Sequence, residues 1–143
     1  MTDLERAKAL FGSEEYTCVL CKGDMVYTSR TSGISPMLDY ICNQTDLRGY
    51  SAADKIVGKA AAMLFALAGV TVLYAEVLSQ SAVAVLERYG IRYSYGTLTD
   101  HIINRSGSGL CPMEEAVAEV EDLHAAFEAI LNRLNQLRKE RES

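Results

Sequence analysis

The sequence is poor in the side chains from which metal and nucleophile sites are built. Among 143 residues there are two His and four Cys, and a structural zinc site alone takes four such ligands at matched spacing. Runs of basic residues are missing as well. Lys and Arg number 14 against 19 Asp and Glu, a net charge of −5, so a phosphate backbone finds no basic strip and general nucleic-acid binding is excluded. The longest apolar stretch, 60–75, is interrupted by Gly69 and Thr71 and falls short of the roughly 20 residues of a membrane span. The opening segment MTDLERAKALFG is charged and amphipathic and lacks the apolar centre and small-residue cleavage site of a secretion signal. A cytoplasmic address is expected, with Cys18, Cys21, Cys42 and Cys111 as thiols rather than disulfides.

What is present suits a single domain over residues 1–143. Hydrophobic residues make up 49%, and a chain of this length buries on the order of two thirds of its unfolded surface without disulfide or metal staples. Thr2 followed by Glu5 is a capping-box pattern ahead of the stripe Leu4, Ala7, Lys8 and Phe11, predicting a helix over 1–12. Residues 16–29 are two β-prone runs split by Lys22-Gly23-Asp24, a β-hairpin. Ser35-Pro36 starts a short helix. Ser51 and Asp54 repeat the capping pattern, so 51–68 predicts a helix, apolar almost all round beyond its first two turns and therefore buried. Residues 70–77 suit a central strand covered on both faces, Ser79 caps a helix that Gly90 terminates, and 91–95 is another strand. Strands joined through a helix are parallel as a rule. The expected class is therefore α/β, three layers in α-β-α order around a mixed sheet. Pro112 then opens a long C-terminal helix over 112–140. Its seam of Val120, Leu123, Phe127, Ile130, Leu134 and Leu137 packs on the sheet or, in its far half, on a second copy of the chain.

Polar groups gather at three places. On the helix expected from residue 51, Ser51, Asp54, Lys55, Gly58 and Lys59 share one side of the first two turns. Exposed amides, the positive dipole end and two lysines suit an anion there. Gly58 in a helix interior costs about 1 kcal/mol against Ala, which points to a close approach of backbone or ligand. The plainer reading has the lysines reaching solvent and Asp54 acting as a cap. Glu76, Ser79, Gln80 and Ser81 stand beyond the carboxyl end of a strand, where open α/β sheets bind ligands, although Ser79 is equally an ordinary cap. The third place is NRSGSGLCPMEE, residues 104–115, where the Cys111 thiol precedes a helix N-terminus. It is a candidate nucleophile, with Asn104 or Arg105 stabilising negative charge and His101 or His124 as partner. The alternative is a small capping thiol, with Glu114 and Glu115 as dipole complements. Cys18-x-x-Cys21 is half of a zinc knuckle without a second pair, and SGSG lacks the ending of a phosphate loop.

The phrases DKIVGKAAAMLFALAGV, AEVLSQSAVAVLERYGIRYSYG and NRSGSGLCPMEE, in the order hairpin, buried helix, strand, helix and strand, resemble an uncharacterised prokaryotic domain family assigned to the cytidine-deaminase-like fold. Active zinc deaminases put a His-x-Glu or Cys-x-Glu triplet at the start of the first core helix and Pro-Cys-x-x-Cys at the start of the next. The corresponding positions here are Gly58-Lys59-Ala60 and Leu78-Ser79-Gln80-Ser81-Ala82. Neither carries the required metal ligands, and Ala60 cannot move the proton that the glutamate moves. The resemblance therefore implies the fold and the place of a pocket and argues against zinc deamination. Together these readings put a pocket for an anionic or nucleotide-like small molecule at the N-termini of the two core helices. Lys55 and Lys59 would supply charge, Ser79, Gln80 and Asn104 hydrogen bonds, and Asp54, Gly58, Glu76, Arg105 and Glu114 further lining. Chemistry at Cys111 or Lys59 and a non-catalytic homodimer through the C-terminal helix are the rival readings. No metal, cofactor or membrane partner is expected.

Overall fold

The Thr2 hydroxyl accepts from the Glu5 N–H at 3.1 Å, and the Glu5 carboxylate accepts from the Thr2 N–H at 3.0 Å. This reciprocal cap starts helix α1 (Asp3–Ser13) as the spacing predicts. The computed structural model describes residues 2–31, 33–103, 107 and 109–142. The hairpin follows as β1 (Cys18–Lys22) and β2 (Met25–Ser29), turning at Gly23 with φ +56°, a left-handed angle that glycine adopts without steric cost. After α2 (Ser35–Cys42) come β3 (Ser51–Val57), α3 (Lys59–Ala68), β4 (Val72–Ser79), α4 (Gln80–Arg88), β5 (Arg92–Thr99), α5 (Pro112–Val117) and α6 (Leu123–Glu142).

The sheet order is β2-β1-β3-β4-β5. β1 is antiparallel to both neighbours, and β3, β4 and β5 are parallel through the crossovers α3 and α4, so the α/β class and mixed sheet agree with the sequence. One face is covered by α1 over Ala7, Val19, Cys21 and Ala53, with Phe11 meeting Tyr74 edge to face at 6.4 Å. The other core gathers Leu20, Ala52 and Leu73 of the sheet with Leu38, Phe65, Leu86, Val117 and Ile130 of the remaining helices.

Two expectations are corrected. Residues 51–57 are not the first turns of a helix; they form the central strand, and α3 begins only at Lys59, with Gly58 as its cap. A Ser-x-x-Asp pattern looks like a cap, and alanine carries no period. Pairing with β1 and β4 decides the matter, and Ala52 and Ala53 are fully buried on opposite faces, where small side chains let helices approach. Asp54 and Lys55 are therefore strand residues. The remainder of that expected helix is buried as predicted, because α2, α4, α5 and α6 all lie against α3. The C-terminal helix is also not continuous from Pro112. α5 ends at Val117, and Asp122 starts α6 by accepting the Ala125 N–H at 2.8 Å. Val120, Leu123, Phe127, Ile130 and Leu134 pack on this chain's own core.

The sheet also changes phase. The β3–β4 pairing runs to Asp54↔Ala75 and resumes at Ile56↔Val77, and β4–β5 pauses in the same row, between Ala75↔Tyr95 and Val77↔Thr97. Before the pause Ala52, Leu73 and Ala75 face the helix-side core; after it Val57 and Leu78 do.

Candidate functional site

α3 and α4 start side by side, two residues beyond the paired Val57 and Leu78, after the caps Gly58 and Ser79. The two N-termini that the sequence placed around a pocket are thus neighbours. At the first of them the free amides already hold an anion. The Glu114 carboxylate, buried at 8% exposure, accepts the Lys59 N–H through Oε1 and the Ala60 N–H through Oε2, both at 2.8 Å. Its charge lies at the positive end of the α3 dipole. Glu114 was expected to complement its own helix, α5, but it serves another. Gly58 makes the contact feasible. A Cβ there would stand 2.3 Å from Glu114 Oε1 and 2.8 Å from Ile102 Cγ1, so the close approach that a glycine at this position signalled is with this carboxylate.

Lys59 does not point its charge at an open pocket. Its ammonium donates to the Ala118 carbonyl at 3.1 Å and pairs with Glu121 at 3.6 Å, with the side chain 12% exposed. It fastens the α5–α6 connection to α3. Lys55, on β3, is exposed. The two lysines and Asp54 therefore do not share the face of one helix turn, as the expected helix over 51–68 implied.

Asp54 is the unusual ionisable group. Its carboxyl is buried on the helix-covered side of β3 and meets the Lys55 N–H at 2.7 Å. Burial raises its pKa from 3.8 to about 7, against the lowering effect of the Lys55 and Ile56 amides. No described cation pairs with it. Directly across the β1–β3 pair stands Cys18, whose thiol is pushed well above its ordinary pKa by burial and by the Asp54 charge.

The remaining expected residues divide. Ser79 is fully buried; its hydroxyl accepts the Ala82 N–H at 3.1 Å and lies 3.0 Å from the Ser81 hydroxyl, as a helix cap does. Gln80 and Glu76 are exposed near it. Cys111 occupies the cap position of the six-residue α5 without capping it, and its N–H donates to the Ile102 carbonyl at 3.0 Å. His101 and His124 are both exposed, and neither is hydrogen-bonded to Cys111 among the described residues. Asn104 and Arg105 lie outside the described residues. Cys18 and Cys21 belong to cores on opposite faces of the sheet and cannot pinch one metal. Among the described residues no three His, Cys, Asp or Glu side chains are grouped to hold a metal ion.

Open space lies elsewhere. A cleft of about 540 Å³ is found at the opposite ends of the parallel strands, between the start of α1 and residues 92–94 of β5, and a second of about 330 Å³ lies between the segment following α2 and the end of α3. Of the polar patch expected around residues 51–59, only Ser51 lines either of them. Ser51 and Arg92 line the larger one; reading Ser51 as a helix cap concealed it, and an isolated Arg in a strand carries no local signal.

The family model TM1506, a domain of unknown function (DUF1893), matches residues 6–134. The crystal structure of a DUF1893 family protein (TM1506) from Thermotoga maritima is similar over 93% of this chain and 91% of its own, with a TM-score of 0.84 and 26% sequence identity. No curated protein matches the chain.

Proposed function

The chain belongs to the DUF1893 family, a domain of unknown function, and from that premise we propose that it is a small-molecule-binding protein with a cytidine-deaminase-like architecture and without deaminase chemistry. The architecture is supported by a hairpin followed by the buried helix α3, a strand, α4 and a strand, the order on which the resemblance rests, to which the structure adds β3 ahead of α3. The observation that carries the reading is the use made of Gly58. At the position corresponding to the metal-binding residue of an active deaminase, this chain has no side chain, and the Glu114 carboxylate fills the space with both oxygens hydrogen-bonded to amides. Zinc does not fit those residues.

With the α3 amides taken, Asp54, 8% exposed, is the buried ionisable group left at this end of the sheet, and a ligand would reach it by displacing the side chains that cover it. A buried carboxyl that titrates near pH 7 offers a hydroxyl donor beside a carbonyl acceptor. That pair complements the amide or amidine edge of a nucleobase, which gives the nucleotide-like reading a chemical basis. Gln80 is exposed at the start of α4 near the same end of the sheet and would stand at its polar rim, whereas Lys55 and Glu76 follow the paired Asp54 and Ala75 and turn away from that face.

The test is thermal denaturation of the wild type and Asp54→Asn with a panel of nucleosides and nucleoside monophosphates, together with zinc analysis of the purified protein. At least one ligand should raise the wild-type midpoint in a concentration-dependent way and leave the variant unmoved. Equal shifts in both proteins, no shift with any ligand, or stoichiometric zinc would overturn the reading.

A further inference from the structure

At the end of the sheet remote from Gly58, the register places Ser51, Val72 and Arg92 side by side in one row, with Ser94 on the same face as Arg92. These residues form the floor of the 540 Å³ cleft beneath the start of α1. Ser51 is 6% exposed as a residue, and its hydroxyl, which makes no hydrogen bond among the described residues, keeps contact with solvent in the cleft. A solvated hydroxyl on the floor of a cleft is free to donate to a ligand oxygen in exchange for water. Arg92, exposed, pairs with no described carboxylate, and the Ser94 hydroxyl is equally without a partner there. The Lys22 ammonium lies over the Tyr50 ring on the helix-side face and is not among the residues lining the cleft. It donates to the Arg48 carbonyl at 3.0 Å. The carboxylate that lines the cleft, Asp3, is engaged by the Gly23 N–H at 3.2 Å and by Arg6 at 3.4 Å.

We propose that this cleft is a binding site for a small phosphomonoester, with Arg92 gripping the phosphate and Ser51 and Ser94 donating to its oxygens or to neighbouring hydroxyls. A guanidinium presents two parallel N–H groups that match two phosphate oxygens. The volume falls in the roughly 300–1,000 Å³ range of small-molecule sites. The site is separate from the one around Asp54 and does not depend on it.

The test is an amide-shift titration of the ¹⁵N-labelled full chain with inorganic phosphate and, separately, ribose 5-phosphate, at ionic strength held constant with sodium chloride. Saturable shifts should centre on Ser51, Thr71, Arg92 and Ser94. Affinity should fall about tenfold in Arg92→Ala, as loss of one charge-assisted contact implies, and less in Arg92→Lys, which keeps the charge without the fork. Ser51→Ala should also weaken binding. Shifts that do not saturate, the same affinity in Arg92→Ala, or shifts confined to the first turn of α3 would each overturn the proposal. Arg92 is exposed, and an otherwise unchanged spectrum shows that the variant is folded.

Discussion

Gly58 and Glu114 form one device from residues far apart in the chain. Glu114→Ala leaves two buried N–H groups of α3 without their charged acceptor, at a cost of about 3 kcal/mol in urea denaturation. Gly58→Ala drives a Cβ into the same carboxylate and should cost a similar amount. Because both changes break one contact, the double variant is expected to lose far less than the sum; additive losses would show that the two residues act separately. The sequence marked each for its own reason, the glycine as a poor helix former and the glutamate as an acid in a first turn. That they meet depends on where the segment after β5 returns over the sheet. Asp54 makes a different demand. Its folded pKa of about 7 lies above the unfolded 3.8, so the folded state retains a proton that the unfolded chain has released. Stability from this group is full below pH 4, falls as pH rises towards 7 and is flat above. At about 1.4 kcal/mol per pH unit the loss is of order 4 kcal/mol. Asp54→Asn should abolish that slope in denaturation curves taken from pH 4 to pH 8 and be more stable than the wild type at pH 8. An unchanged slope would place the carboxyl in water.

At the scale of elements, most boundaries follow from local chemistry. The capping box of α1, the Gly23 turn, and Ser79 at the start of α4 are contacts within a few residues, so spacing alone reveals them. The break between α5 and α6 has a local signal too, the Asp122 cap, hidden because the apolar period continues through Val120 and Leu123 in the same phase. Asp122→Ala should destabilise the protein by about 1 kcal/mol, read from the denaturation midpoint, if Asp122 starts a separate helix. No effect would mean that the helix runs through. β3 is the opposite case. Its central residues Ala52, Ala53 and Asp54 favour no strand locally, and the neighbours that make it one, β1 and β4, lie outside any short window.

At the scale of the whole molecule, one sheet carries two ends of different character. The ends of β3 and β4 beside Gly58 are closed by a carboxylate from α5, whereas the ends around Ser51 and Arg92 are open beneath α1. By itself the sequence determined the α/β class, the hairpin, the buried helix α3 and the parallel crossover through α4, because periodicity, turn residues and caps act over a few residues. It also singled out Gly58, Lys59, Glu114 and Asp54 as worth attention. Only the tertiary structure decided that Asp54 sits in a strand, that Lys59 faces Ala118 and Glu121, that Glu114 belongs to α3, and that Ser51 stands beside Arg92. Those are contacts between segments distant in sequence, selected by sheet register and by the burial of unpaired polar groups, and neither is encoded in local spacing.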